Sequence, residues 1–464
     1  MSQPKPLPTP AARRLGLLAL GLATLLPMLG GSLANMVLPA LGQAFGVPFA
    51  SLQWVLVAYL LGITCLTVVA GRLGDRFGRR RLLLLGLGLF ALASLLCALA
   101  PTIGWLIAAR ALQGVAAACM LSLALAMVGQ LVPPARRGWG MGLLGTLSAC
   151  GTALGPSFGG LLTAGFGWQA PFLLLVPLSL LGLGCARLGL PRDGSSPQQE
   201  RMNLASLSLL VAALLCYGLA LTLGGALALW LGAGALLVTA SFVRRERRAP
   251  VPLLPLALLG APGLGSGLVA SALVASVMLL TLLIGPFYLR GVFDLDLGTV
   301  GLMISGGPLL AALTGMPAGW LVDRLGARQV VRLGLAVMGT AALGLAGAAG
   351  QFGPLGYLLP ILLLTAGYAL FQTANNSAVV GGASEQTRGA VAGLLTLSRN
   401  LGQLTGVAGL GGLFAALVGE QGLTLASELV FGTRALFALS ALLIGLAFWL
   451  VCRRREGMLA RARA

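Results

Sequence analysis

One charged motif occurs twice in this chain. Residues 71–81 read GRLGDRFGRRR and residues 319–328 read GWLVDRLGAR, so both copies fit the pattern G-x-L-x-D-R-x-G-x-R at a spacing of 248 residues. A glycine pattern recurs at a spacing of 251 residues, in which Arg137, Gly138, Gly142, Gly151 and Gly155 match Arg388, Gly389, Gly393, Gly402 and Gly406. Two patterns that share almost one spacing indicate a chain built from two equivalent halves.

The composition is that of a membrane protein. Hydrophobic residues make up 58% of the 464 residues and charged residues 9%, whereas a soluble protein carries about a quarter charged residues. Apolar runs of about twenty residues, the length that spans a bilayer core, recur along the whole chain. Strand-like alternation is missing and a helix satisfies its own backbone hydrogen bonds in lipid, so we predict an all-α membrane protein. The fourteen predicted spans are 15–38, 52–71, 82–100, 103–127, 140–163, 168–189, 204–223, 225–243, 263–288, 298–319, 330–349, 355–381, 390–417 and 434–452.

The predicted spans form two six-helix bundles and a central insertion. We predict an N-terminal bundle over residues 1–190, a linker with two inserted helices over residues 191–250, and a C-terminal bundle over residues 251–464. The polar stretch 190–202 marks the linker by its Pro, Gly and Ser residues. The first apolar run is too long for the hydrophobic region of a signal peptide, and we interpret it as a retained helix.

The positive charges orient the chain. With the N-terminus in the cytoplasm, 26 of the 30 Lys and Arg residues lie on that side, Arg290 and Arg434 lie outside, and Arg110 and Arg399 lie inside spans. This bias predicts that both termini are cytoplasmic. It also accounts for the net charge of +19 without nucleic acid, because the arginines set the topology and contact anionic lipid headgroups.

The residue types for enzyme or metal chemistry are missing. The chain has no histidine, and its seven cysteines lie within or at the ends of apolar segments without metal-ligand spacing. We therefore interpret the cysteines as small apolar residues and predict no metal and no cofactor. No loop is long enough for a catalytic domain, and no nucleophile or base constellation occurs, so we predict that the chain is not an enzyme.

The repeated loop motif resembles the signature of the major facilitator superfamily, and the chain as a whole resembles its fourteen-helix drug:proton antiporter branch. The resemblance implies a gating loop made of Gly71, Arg72, Asp75, Arg76, Gly78 and Arg79, repeated at Gly319, Asp323, Arg324 and Arg328. A carboxylate there can pair with an arginine or cap a neighbouring helix, and so latch the bundles in one state. The alternative is a solvated charge cluster that only sets topology.

Two further segments carry the resemblance in the N-terminal half. Residues 107–114, IAARALQG, are similar to the superfamily's l-x-x-R-x-x-q-G, and the resemblance implies a role of Arg110 in proton transfer. A membrane-embedded arginine is costly and suggests function, although Arg110 could also extend to the outer surface. Residues 53–61, QWVLVAYLL, resemble the W-V-x-x-Y-x-L of the fourteen-helix branch, and Trp54 and Tyr59 also suit an interfacial aromatic belt.

The fifth predicted span resembles the superfamily's antiporter motif. Its fixed positions are Gly142, Gly151, Gly155, Pro156, Gly159 and Gly160. The glycines form a smooth face for close packing, and Pro156 kinks the helix. The resemblance implies export, but a face that served packing alone would have the same sequence.

The first span departs from the branch. Residues 29–39 read LGGSLANMVLP where the branch has L-D-s-T-i-v-N-v-a-L-P, so Gly30 replaces an aspartate while Asn35 and Pro39 are kept. All eleven acidic residues lie in loops or at span ends. An embedded carboxylate is the usual carrier of a coupling proton. Proton coupling is therefore the part of the resemblance that the residues support least.

Polar residues within the spans are candidates for the substrate cavity. They are Ser32, Asn35, Gln113, Tyr368, Gln372 and Asn376. Gln372 and Asn376 are four residues apart and share one helix face, although hydrogen bonds between helices would explain them equally well. An unpaired Arg399 would favour an anionic or strongly polar substrate. Alternatively, Arg399 pairs with Gln372, Asn375 or Asn376.

These features together predict a secondary transporter of the bacterial inner membrane. We expect a monomer that exports small amphiphilic molecules or metabolites by alternating access, in exchange for protons. Its partners are a small-molecule substrate, protons and anionic lipid, and no nucleic acid. One alternative is an uncoupled carrier or uptake permease for a neutral or anionic metabolite, which the missing aspartate supports. A more remote alternative is a membrane sensor that transports nothing.

Overall fold

The fold consists of helices throughout the part of the chain that the structure describes. The computed structural model describes residues 10–133, 137–193, 204–223, 225–249, 264–381, 388–422 and 425–453. The helices are α1 (Pro10–Phe45), α2 (Phe49–Phe77), α3 (Arg79–Ala98), α4 (Ile103–Leu131), α5 (Arg137–Phe166), α6 (Ala170–Gly189), α7 (Leu204–Thr222), α8 (Gly225–Glu246), α9 (Leu264–Phe293), α10 (Leu297–Leu325), α11 (Ala327–Ala348), α12 (Leu355–Gly381), α13 (Arg388–Leu404), α14 (Gly411–Gly422) and α15 (Ala426–Cys452). A π-helical segment, Thr405–Leu410, joins α13 to α14.

The prediction of an all-α membrane protein is confirmed. Among the described residues, thirteen helical segments are long and apolar enough to cross a membrane, and the glycine-rich α5 is not one of them. Because α13, the π-helical segment and α14 follow one another without a break, the helices correspond to the fourteen predicted spans. Most helices are longer than predicted, since hydropathy marks the lipid-embedded part and polar turns continue beyond it. The π-helical segment was not predicted, because its hydrogen-bond register leaves no trace in hydrophobicity.

The chain divides into two compact units. The first unit consists of Met1–Val47 with Trp54–Leu204, and the second unit consists of Pro48–Gln53 with Ala205–Ala464. In the first unit, α1 packs against α4, α5 and α6, and α3 packs against α4 and α6. In the second unit, α9 packs against α12, α13 and α15, and α11 packs against α12 and α15. The same helix pairings therefore recur in both bundles, as the repeated motifs predicted. The predicted boundaries at residues 190 and 250 stay predictions.

Polar groups fix several helix ends. At the start of α10, Asp296 accepts hydrogen bonds from the Thr299 backbone N–H at 2.9 Å and from the Thr299 hydroxyl at 2.6 Å. These bonds lower the pKa of the Asp296 carboxyl, because they stabilise its charged form. At the end of α11, Arg434 Nε and Nη2 donate to the carbonyl oxygen of Ala349 at 3.0 and 2.7 Å. A cation suits a helix C-terminus because its unpaired carbonyls carry partial negative charge.

The long helices of each bundle meet at glycines. A Cβ atom on Gly155 of α5 would lie 1.8 Å from the Ser32 hydroxyl oxygen of α1, and one on Gly402 of α13 would lie 2.1 Å from the Ala272 carbonyl oxygen of α9. A serine bonds across each contact: Ser32 Oγ donates to Gly151 O at 3.3 Å, and Ser276 Oγ donates to Gly402 O at 2.7 Å. The two bundles thus repeat one packing device, in which small residues let two backbones approach.

These contacts predict opposite effects for glycine-to-alanine substitutions along the same helices. Gly155→Ala and Gly402→Ala should each lower the free energy of unfolding by about 1–3 kcal/mol, because the added methyl group forces the helices apart. Gly145→Ala and Gly393→Ala meet open space, so they should raise it by up to about 1 kcal/mol through better helix propensity. Thermal denaturation of the four purified variants measures the difference. Equal effects at all four positions would contradict the packing described above.

Candidate transport site

A fully buried arginine lies at the centre of the first unit. Arg110 of α4 has an exposed fraction of 0%. Its Nε donates to the Val55 carbonyl oxygen at 3.1 Å, and its Nη1 donates to the Gly30 carbonyl oxygen at 3.2 Å and to Gln113 Oε1. The side chain thus points inward and does not extend to the outer surface.

Aromatic and polar side chains surround this guanidinium. The Arg110 Cζ atom lies 4.2 Å from the centre of the Tyr59 ring, a cation–π contact, and the Tyr59 hydroxyl donates to Pro27 O at 2.6 Å. Gln113 Nε2 in turn donates to the Ser94 hydroxyl at 2.8 Å. Tyr59 is therefore buried, with an exposed fraction of 4%, and does not belong to an interfacial belt. Residues from α1, α2, α3 and α4 together hold the charge in place.

The Arg110 charge has no carboxylate partner among the described residues. Its Nη2 atom is buried and forms no hydrogen bond in this part of the chain. Its neighbour Gly30 occupies the position of the branch's aspartate. A Cβ atom on Gly30 would lie 3.2 Å from both Leu175 Cδ1 and Phe90 Cζ, and 3.9 Å from Gln113 Nε2. A side chain at position 30 would thus start between these two apolar side chains, and what Gly30 offers the arginine is its carbonyl oxygen.

The six cavity candidates fall into two groups. Ser32, Asn35 and Gln113 are buried inside the first unit, with exposed fractions of 5%, 3% and 0%. Ser32 bonds to α5, and Asn35 Nδ2 donates to Gly31 O at 3.2 Å. By contrast, Tyr368, Gln372 and Asn376 of α12 are half-buried. The sequence shows which residues of a helix are polar but not how deeply each side chain is buried. The two groups therefore look alike in the sequence.

The second unit has a polar face on α12 and α13, and Arg399 is the one charged side chain described there. Arg399 is half-buried, and the Tyr368 phenol lies close enough to interact electrostatically with it. No described residue accepts a hydrogen bond from Arg399, and Gln372 and Asn376 form none in the described part of the chain. Asn375 instead bonds to α9, where its Nδ2 donates to Gly267 O at 3.2 Å. Half-exposed, unbonded polar groups within a span need water or substrate, because lipid cannot bond to them.

The gating-loop candidates lie at the junctions α2–α3 and α10–α11. Gly71, Arg72, Asp75 and Arg76 fall in the last turns of α2, Gly78 precedes α3 and Arg79 begins it; the side chains of Arg72 and Asp75 lie outside the described part. In the second copy, Gly319, Asp323 and Arg324 belong to α10, and Arg328 belongs to α11. Asp323 and Arg328 are exposed, and Arg324 stacks on Trp320 at 4.0 Å. The latch role of Asp75 and Asp323 stays a prediction.

The antiporter-motif residues lie along α5. Gly151 and Gly155 face α1 at distances that leave no room for a side chain, and a Cβ atom on Gly159 would lie 3.0 Å from Met36 Cβ of α1. A Cβ atom on Gly142 would meet nothing within 4 Å. Pro156 and Gly160 are buried in the same stretch. Three of the motif's glycines thus build the contact with α1, and Gly142 lies outside it.

Tyr217 makes a contact that the sequence did not indicate. It belongs to the inserted helix α7, and its hydroxyl lies 2.6 Å from the Thr405 hydroxyl, where the π-helical segment of the second unit begins. Segments of π-helix occur frequently at functional sites. The hydroxyl of Tyr217 therefore bonds to a neighbouring helix of the second unit.

The chain is similar to membrane transporters of known sequence and structure. The sequence profile of the Major Facilitator Superfamily matches residues 20–407. The chain is 31% identical to the uncharacterized transporter YebQ of Escherichia coli (strain K12), over 86% of this chain and 89% of that protein. It is 27% identical to the riboflavin transporter RibZ of Clostridioides difficile (strain 630), over 83% and 85%, and 29% identical to the tetracenomycin C resistance and export protein of Streptomyces glaucescens, over 87% and 76%. The chain shares its fold with a bacterial homologue of the human lysosomal transporter Spinster, whose crystal structure is inward-facing and unoccupied. The two structures match with a TM-score of 0.71 at 16% identity, over 96% of this chain and 98% of that one.

The unpaired charge of Arg110 predicts how stability responds to its removal. Arg110→Met should keep the free energy of unfolding within about 1 kcal/mol of the wild type or raise it, because an apolar side chain of similar length replaces a costly buried cation. Arg110→Lys should be less stable than Arg110→Met, since it keeps the charge with fewer donors. Thermal denaturation in detergent compares the two. If Arg110→Met lowered the free energy of unfolding by more than about 3 kcal/mol, the arginine would instead be essential for the stability of the fold.

Proposed function

Because this chain belongs to the Major Facilitator Superfamily, we propose that it exports small amphiphilic molecules or metabolites by alternating access, in exchange for protons. Membership makes the chain a multi-pass membrane transporter and not an enzyme. We place it in the bacterial inner membrane as a monomer, with both termini in the cytoplasm and its basic loops against anionic headgroups. The named relatives are bacterial, which supports this location.

The contact between α1 and α5 carries the proposal. Gly151, Gly155 and Gly159 place the antiporter motif directly against α1, and a relative named for resistance and export matches over 87% of this chain. The second unit repeats the contact with Gly402 and Gly406 against α9. Two equivalent bundles are the architecture with which many duplicated transporters alternate access.

Export can be tested in inside-out membrane vesicles that contain the chain. With an acid-inside pH gradient, we expect accumulation of at least one of three dyes, cationic ethidium, neutral Nile red or anionic carboxyfluorescein. Accumulation above equilibrium should collapse on addition of a protonophore, because the proton gradient drives it. Vesicles with Arg110→Met are the matched control and should not accumulate dye. Equilibration that ignores both the gradient and the protonophore would contradict proton-driven export.

A second candidate is an uncoupled carrier for a neutral or anionic metabolite. The observation that favours it is the charge balance: Arg110 and Arg399 are the embedded charges, and neither contacts a carboxylate among the described residues. A coupling proton needs a group that titrates, and an arginine stays charged at any physiological pH. One relative is named as a riboflavin transporter, which supports a metabolite as substrate.

Arg399 gives this second candidate a direct test. If the guanidinium attracts an anionic substrate, Arg399→Gln should lower the rate of carboxyfluorescein transport about tenfold, which corresponds to roughly 1.4 kcal/mol. Arg399→Lys should keep part of the rate because it keeps the charge. Nile red serves as the neutral control, and its transport should not change. Preference of the wild type for ethidium, unaltered in Arg399→Gln, would contradict an anion-selective cavity.

A further inference from the structure

The start of α3 is capped by an acidic side chain from a distant part of the chain. Asp193 follows α6, and its carboxylate accepts hydrogen bonds from the backbone N–H groups of Arg80 at 2.9 Å and of Arg81 at 3.1 Å. The N-terminal N–H groups of a helix have no partner within it and carry partial positive charge. The residue at the usual capping position is Gly78, which has no side chain to bond them. Asp193 therefore supplies the missing cap.

Gly78 makes room for this carboxylate. Its φ angle is 98°, a conformation that favours glycine, and a Cβ atom there would lie 2.4 Å from Asp193 Oδ2. The matching residue of the second copy, Gly326, has a φ angle of 82°, but a Cβ atom there would meet nothing within 4 Å. Both glycines thus serve the backbone turn. Only Gly78 also accommodates an acidic side chain.

The side chain of Arg80 forms a second connection between the start of α3 and the end of α6. Its Nη2 donates at 2.6 Å to the carbonyl oxygen of Arg187, which is among the last carbonyls of α6. The end of α6 is therefore tied to the start of α3 by an arginine side chain in one direction and by the Asp193 carboxylate in the other. Both ties converge on the loop that carries the repeated motif.

We propose that Asp193 is a positioning residue of the gating loop. Its carboxylate and the N–H groups of Arg80 and Arg81 form a clasp, the Asp193 clasp, which sets where α3 begins and anchors the chain leaving α6 to the gating loop. The linker towards α7 then starts from a fixed point on the first unit. The clasp itself is independent of substrate, whereas its effect on turnover rests on the proposed transport function.

Hydrogen–deuterium exchange of the full-length protein in liposomes tests the clasp directly. In Asp193→Ala, the amides of Arg80 and Arg81 should exchange at least about tenfold faster, because they lose their acceptor. Asp193→Asn should fall between, since an amide offers one acceptor oxygen instead of two. Gly78→Ala should also speed exchange at these amides by displacing the carboxylate. Gly326→Ala is the matched control: it carries the same backbone strain, and exchange at Arg80 and Arg81 should not change.

Transport of the dye that the wild type moves best then tests the positioning role. Asp193→Ala should lower the maximal rate several-fold and leave the half-saturating dye concentration unchanged, because the clasp touches no substrate. Asp193→Glu should restore part of the rate. Unchanged exchange at Arg80 and Arg81 in Asp193→Ala would refute the clasp, and faster exchange with an unchanged rate would refute its positioning role. Failure of the wild type to move any dye would refute the proposed function, while exchange alone would still decide the clasp.

Discussion

A positive charge buried without a carboxylate is the constraint around which the first unit is organised. Arg110 has no access to solvent, and carbonyl oxygens of α1 and α2, the Gln113 amide and the Tyr59 ring surround it. Such an arrangement is costly in a membrane, since dipoles and a ring face compensate a full charge only in part. It persists because the helices that supply these groups are held close: α1 packs against α4, and Gly114 of α4 lies so near the Tyr59 backbone of α2 that it leaves no room for a side chain. The chemistry of the site therefore depends on the packing of the bundle.

That packing is repeated in the second unit, but a fully buried arginine is not. Glycines bring α5 onto α1 and α13 onto α9, and a serine hydroxyl bonds across each contact. The first unit buries its arginine completely, whereas Arg399 of the second unit is half-buried on a face with unbonded amides. The two units thus share their helix packing but differ in how far they bury an arginine. The buried Arg110 can affect the conformation of its bundle, whereas the half-buried Arg399 can contact a substrate.

The fold was predictable from the sequence because membrane helices follow from apolar length and the two bundles from repeated motifs. The identity of Arg110 as an embedded charge was equally visible. The surroundings of Arg110 were not visible. In the sequence, Tyr59 suits an interfacial belt and Gly30 only marks the absence of an acid, and the fold alone shows that both lie next to the guanidinium. The contacts of Asp193 and Tyr217 were hidden for the same reason: each bonds to a residue more than a hundred positions away, and a single sequence does not pair distant positions. Ser32, Asn35 and Gln113 were grouped with the cavity because polarity alone does not distinguish helix contacts from a surface that faces water.

Proton exchange without an embedded carboxylate is the central claim, and counting protons against substrate tests it most directly. The purified chain would be placed in liposomes with a pH-sensitive dye inside, and the substrate gradient alone would drive transport. We expect protons to move against the substrate in a constant ratio, and to stop moving in Arg110→Met liposomes. Substrate flux with no accompanying proton flux would contradict this claim and identify the chain as an uncoupled carrier.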